Sequence, residues 1–317
     1  MYRRTLRRVQ RGFTLLELLV VVAILAAIAG TATIALQDTD ARAAAAAHVA
    51  MMDELNKGIR TFRVLQGNVL PNNWDSLQAV TTAGDLSTAA LLPETDGDIL
   101  GLADLGGATI TGLGERLNEI GITSMQFINA STGATVPDGV AATGCEVANL
   151  QDTISDRGNA VVAGNIFLTP AANGCGQAIA IPDDGTTAIP IAVWFGGNER
   201  VLGVGAPEPE EATGGGIDVT ASAENAKILM AVGAGPSSNL FDASELGGLT
   251  SVPVYRHVAS NQYNRFIVLF HVANIGNDGT SNTLDIVDQV ALAAIVDGAG
   301  DTKEEELGEW DGTRNTI

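Results

Sequence analysis

The sequence predicts an α+β chain in which one long N-terminal helix precedes a β-rich globular part. Three observations predict it. An apolar run from Phe13 to Leu36 holds 24 residues and a single charge, Glu17. Beyond it, Val49, Met52, Leu55, Ile59, Phe62 and Leu65 recur at three- and four-residue steps, the stripe of an amphipathic helix. From about residue 85 onward, short β-branched stretches alternate with turns rich in Gly, Thr and Asp.

The composition narrows the class. Of 317 residues, 46% are hydrophobic and 17% charged, which fits neither a disordered chain nor a multi-span membrane protein. Acids outnumber bases, 37 to 17, for a formal charge of −20. Five bases (Arg3, Arg4, Arg7, Arg8, Arg11) fall in the first 12 positions, so the remainder carries 12 − 37 = −25. A body this acidic repels phosphate backbones, and no nucleic-acid partner is expected.

As a helix, the 24-residue run would measure about 36 Å, enough to cross a hydrocarbon core of about 30 Å. The basic leader keeps its own end in the cytoplasm, so everything after Leu36 is expected across the membrane. Three plainer readings compete. A secretory signal peptide has an apolar stretch of about 7–15 residues without an early carboxylate, although the Ala43–Ala47 run offers an A-x-A cleavage site. An uncleaved anchor tolerates Glu17 poorly, an acid at mid-bilayer costing about 2.5–3.5 kcal/mol. A buried soluble helix is seldom so long.

The run Arg11-Gly12-Phe13-Thr14-Leu15-Leu16-Glu17, followed by the apolar segment, resembles the class III signal of type IV prepilins and type II secretion pseudopilins. The resemblance implies a pilin-like fold, with a helical spine packed on an antiparallel β-rich head. It implies cleavage between Gly12 and Phe13 by prepilin peptidase, methylation of the new Phe13 amine, and an assembly role for Glu17. The chemistry of those residues is consistent with this. Glycine lets an extended backbone lie close to a protease floor. In a packed helix bundle of low dielectric, Glu17 and the cationic Phe13 amine of a neighbouring subunit favour pairing. The implied partners are copies of the chain, other pilins or pseudopilins, the peptidase and the inner-membrane assembly platform. The implied location is the inner membrane by a single pass, with the head in the periplasm or outside the cell. No enzymatic role follows. Where many relatives carry a helix-breaking proline late in the segment, this chain has Ile34.

The expected organisation is a leader at 1–12, a transmembrane and assembly helix at 13–36, its amphipathic continuation at 37–66 and a head at 67–317. Gly67-Asn68 supplies the helix stop. Asn68 to Leu77 is similar to the turn after the spine in many pseudopilins, where a proline and a short helix follow. Gly114–Ile120 predicts a helix. Ser124–Ile128, Ala160–Leu168, Ile189–Phe195, Lys227–Val232, Pro253–Val258 and Arg265–Val272 predict strands. Ile286–Ile295 fits a strand or, through Ala291, Ala293 and Ala294, a helix. Gly205–Gly216 reads as a loop, and 297–317 as an acidic tail, solvated or draped on the surface. An inserted subdomain near 130–220 would hold both cysteines.

Those cysteines, Cys145 and Cys175, could form a disulfide worth roughly 3–4 kcal/mol in an exported protein, or remain buried thiols. The histidines His48, His257 and His271 show no ligand spacing, and no hydrolase, phosphate-loop or dinucleotide motif occurs. Calcium is the one cofactor with oxygen donors at suitable spacing, at Asn277, Asp278 and Asp285. Glu94, Asp96 and Asp98 form a second acidic group, but Ile99 replaces the EF-hand glycine. Asx-rich turns are the plain reading of both. The alternative to a filament subunit is a single-span, membrane-anchored enzyme or binding protein, which predicts a pocket with convergent polar groups.

Overall fold

The computed structural model describes residues 15–77, 79–80, 86–87, 99–105, 112–126, 178–181, 189–196, 205–209, 216–255, 263 and 265–311. Helix α1 runs from Leu15 to Leu65, 51 residues without interruption at Ile34. It stops as its sequence predicts. Gly67 (φ +72°) and Asn68 (φ +77°) turn left-handed, and the Asn68 N–H donates to the Arg63 carbonyl at 2.7 Å.

In chain order, β1 (Trp74–Asp75), β2 (Ala79–Val80), β3 (Leu86–Ser87) and β4 (Leu100–Leu105) precede α2 (Leu113–Glu119). Then come β5 (Ser124–Gln126), β6 (Ala178–Ala180), β7 (Ile189–Trp194), β8 (Glu208–Pro209), β9 (Ile217–Asp218) and β10 (Lys227–Gly233). A 3-10 turn, Asn239–Phe241, leads toward β11 (Ile267–Asn277), β12 (Asn282–Val296) and α3 (Lys303–Asp311). Eight strands form the main sheet, ordered β12-β11-β10-β1-β5-β6, with β7 pairing both β10 and β4. Its ladders are antiparallel except β1 with β5, where Trp74 faces Met125 in parallel.

Burial explains the central strands. On one face Ile228, Met230 and Val232 of β10 and Val268, Phe270 and Val272 of β11 share a core with Met52, Leu55, Ile59 and Phe62 of α1. On the other, Leu229 and Ala231 join Ile267, Leu269, Trp194 and Leu77. Both faces are covered, so β10 and β11 read as continuous apolar runs. The stripe on α1 ends at Phe62; Leu65, in the last turn before the chain departs, is 52% exposed. Strand β12 is the sheet edge, and register with β11 from Asn282 to Val296 resolves its helix–strand ambiguity. Its exposed Asp285 and Asp288 discourage further strand addition.

Several expectations differ. After Pro71 the chain extends into β1 and forms no short helix there, because Trp74 plugs the core and donates to the Pro71 carbonyl. Pro253 to Tyr255 lies outside any strand, and 160–168 falls outside the described residues. The 205–216 loop holds strand β8, which pairs with β9 just beyond it in a two-residue ribbon. Strands β6 and β7 lie within 130–220 yet pair into the main sheet.

At the junction of β1 and β10, Asp75 is 1% exposed. The Tyr263 hydroxyl donates to its Oδ2 at 2.7 Å. A Cβ at Gly235 would collide with that carboxylate, and one at Gly233 with the Tyr263 hydroxyl, so both positions require glycine. Burial pushes Asp75 from 3.8 up to about 6, opposed by the Tyr263 hydrogen bond and the Arg265 charge. The folded chain thus holds this proton more tightly than the unfolded one. The stabilisation is complete below pH about 4 and is lost as pH rises through about 6. Asp75→Asn, which keeps an acceptor without the charge, is expected to raise the unfolding midpoint relative to wild type at pH 7 more than at pH 4. Urea titrations at the two pH values check this; an equal difference at both would contradict it.

Candidate functional site

Gly12 and Phe13 lie outside the described residues; Glu17 is exposed in the first turn of α1. Around it the helix is apolar on every side. Leu15, Leu16, Leu18, Leu19, Val20, Val21, Val22, Ile24, Leu25 and Ile28 are exposed by between 44% (Val20) and 82% (Leu15). Each such side chain gains about 1.5–3 kcal/mol from full burial, so this half of α1 is unsatisfied in the isolated chain. Among the described residues no helix is long and apolar enough to cross a membrane. Leu15 to Thr31, 17 residues with described side chains, would reach only about 26 Å.

Among the described side chains, burial on α1 begins at Ala45. There the C-terminal segment returns to it. The expected solvated tail is instead helix α3, with Glu305 and Glu306 buried at 4% and 3%. Its start is half of a capping box, Glu305 reaching back to Thr302 while the Glu305 N–H donates to the Thr302 carbonyl at 3.0 Å. Thr302 N–H and Oγ1 donate to Glu305 Oε2 at 3.0 and 2.9 Å. Just before it, Asp297 Oδ1 accepts from the N–H groups of Ala299, Gly300 and Asp301 at 2.8–2.9 Å, closing a turn in which Gly300 has φ +98°. Lys303 then reaches Asp53 at 2.6 Å, and His48 Nδ1 lies 3.1 Å from Glu306 Oε1.

His48, Asp297 and Glu306 are all buried, and one ligand atom from each lies within 4.8 Å of the others. Among the described residues this is the one such group of three. Tyr255 packs on the imidazole, ring centroids 4.6 Å apart. Burial, then the neighbouring Glu306, pushes Asp297 from 3.8 up to about 7. Burial and the carboxylates of Asp297, Glu306 and Asp301 keep the Tyr255 phenol protonated. Sequence reading missed this centre. His48 and Glu306 stand 258 positions apart. The Thr302-x-x-Glu305 box was the local signal for α3.

The other sequence candidates are dispersed. Asn277 and Asp278 form the β11–β12 turn. Asn277 Oδ1 accepts from Gly279 N–H, and Asp278 Oδ1 from Thr280 and Ser281 N–H, at 2.7–2.9 Å. Those backbone bonds hold Asp278 below the usual carboxylate range. Asp285 pairs across the ladder with Asn274 and lies over Gly276. The turn thus spends its acceptors on its own backbone. Glu94, Asp96, Asp98, Cys145, Cys175 and His257 lie outside the described residues. His271 is half-buried and bonds Asn274 at 2.8 Å, a structural contact.

Residues 7–33 match the family described as the prokaryotic N-terminal methylation motif. The chain therefore carries the class III signal of type IV prepilin-like proteins. Proteins that carry this signal are of the kind processed by prepilin peptidase. No curated protein and no solved structure matches the chain.

The two polar contacts that seat α3 should differ in weight. Thr302→Ala removes the hydroxyl that donates to the buried Glu305 carboxylate and is expected to destabilise by about 1–3 kcal/mol. Lys303→Ala removes a partly exposed ion pair and should cost less than about 1 kcal/mol. Urea unfolding of the detergent-solubilised chain would show the order; a larger loss for Lys303→Ala would reverse this assignment.

Proposed function

We propose that the chain is a structural subunit of a type IV pilus or type II secretion pseudopilus, held in the inner membrane before assembly and polymerised through the first half of α1. The observation that carries this reading is the all-round exposure of the apolar residues Leu15–Ile28 on a helix whose other half is committed to the head. An apolar circumference needs an apolar environment on every side. A bilayer provides one, and a bundle of identical helices provides another. The backbone of α1 continues through residues 32–36, and the run 13–36 carries only Glu17 as a charge, so its full length of about 36 Å would span the membrane.

In this reading the peptidase cuts between Gly12 and Phe13, removing five of the 17 basic residues and exposing the Phe13 amine for methylation. The amine keeps its charge. Glu17, one turn along, then pairs with the Phe13 amine of the next subunit, a contact that low dielectric favours and that fixes the stagger between helices. The heads, with their acidic surface, form the outside.

Mass spectrometry of the mature protein is expected to find methyl-Phe13 as the first residue. Retention of residues 1–12, or a cut near Ala43–Ala47, would refute the reading. Glu17→Ala and Glu17→Leu are expected to enter the membrane normally and to lower filament yield at least tenfold in pelleting assays. A wild-type yield would remove Glu17 from assembly.

A further inference from the structure

We infer that His48, Asp297 and Glu306 form a binding site for one first-row divalent cation, of which Zn2+ is the best-suited probe, clamping the C-terminal helix to the spine. This inference does not depend on the filament reading.

Three observations support it. The first is geometry: an imidazole nitrogen and two carboxylate oxygens, brought from α1, the turn after β12 and α3, lie within 4.8 Å of one another. The 3.1 Å separation of His48 Nδ1 and Glu306 Oε1 is close to the edge of a tetrahedron with bonds of about 2.0–2.1 Å. The second is an orphaned acceptor. Asp297 is fully buried; its Oδ1 takes three backbone N–H groups, while its Oδ2 has no hydrogen-bond partner. An interior carboxylate oxygen left so is expensive unless a cation or proton meets it. The third is charge. Two buried carboxylates face one imidazole, and Lys303 is spent on Asp53. A divalent cation with a neutral imidazole and two carboxylates sums to zero.

The donor set also selects the metal. Calcium and magnesium favour all-oxygen shells, whereas one imidazole with carboxylates suits zinc. Access exists as well: His48 lines an open groove between α1 and Ser251–Val254, beside Ala44, Ala47 and Met51. A water could complete four-coordination, the arrangement of three protein ligands with one solvent position.

The test uses the full chain in detergent, stripped with EDTA and titrated with Zn2+ alone. One zinc per chain is expected, with a rise in melting temperature that Ca2+ at the same concentration does not reproduce. His48→Gln and Asp297→Asn should each weaken zinc binding at least tenfold. The Cys145→Ser/Cys175→Ser double variant should bind as wild type does. Asp297→Asn is isosteric and removes a buried charge, so it carries the test if His48→Gln fails to fold. Absence of stoichiometric zinc, undiminished binding by Asp297→Asn, loss of binding in the cysteine variant, or stabilisation by Ca2+ alone would each overturn the inference.

Discussion

The seating of Met52, Leu55, Ile59 and Phe62 on the β10–β11 face is the contact on which the rest of the molecule depends. Because α1 is one uninterrupted helix, fixing its second half fixes the first. Each residue advances the helix by 1.5 Å and about 100°, so the direction in which Glu17 points is set by the stripe more than thirty residues away. The same rigidity forbids an obvious escape. The apolar half cannot fold back to hide against the head while the other half is held in the core. The isolated chain must therefore present ten exposed aliphatic side chains, and this compulsion links the fold to its proposed use.

A second clamp closes the fold from the other end of the chain. Strand β12 delivers Val296 into the core, the Asp297 turn reverses direction, and the Thr302–Glu305 box starts α3 where it meets α1. The first and last described elements thus touch, at His48–Glu306 and Asp53–Lys303, across some 250 positions of sequence. The Lys303–Asp53 pair, more than a third exposed on each side, contributes little. Local turn chemistry does more, since it decides where the tail goes before any long-range contact rewards it.

What the sequence made legible follows the range of the interactions involved. Helix α1 over Leu15–Leu65 was readable because its signals are local: apolar periodicity and a Gly-Asn stop. The central strands were readable for the same reason, as continuous apolar runs buried on both faces. The ends of those runs were less clear. β11 extends to Asn277, beyond Val272, because pairing with β12 holds Asn274, Gly276 and Asn277 in the ladder although they lack strand propensity. The tail was misread because Glu304, Glu305, Glu306 and Asp301 look like solvated charge in composition. Burial of Glu305 comes from a cap, and burial of Glu306 from a helix 258 residues earlier. Neither cause is visible in a count of acids.

The fates of the buried acids carry that lesson into chemistry. Asp75 has one oxygen, Oδ2, met by the Tyr263 hydroxyl and the other, Oδ1, without a hydrogen bond, with Arg265 nearby, and the glycines at 233 and 235 make room for the pair. Glu305 is satisfied by the start of its own helix. Asp297 is only half satisfied: its Oδ1 builds a turn, and its Oδ2 faces inward with another carboxylate beside it. A chain with an acidic surface excess has no electrostatic reason to bury two more acids together, since each loses hydration and repels the other. Such an arrangement persists where a proton or a cation answers it, and burial beside Glu306 already pushes Asp297 up to about 7. Within reach there is one imidazole, which can neutralise one carboxylate but not two. The imbalance thus falls where tail meets spine, the one place where an added cation would act on the joint between the head's last helix and the helix that bears the assembly surface.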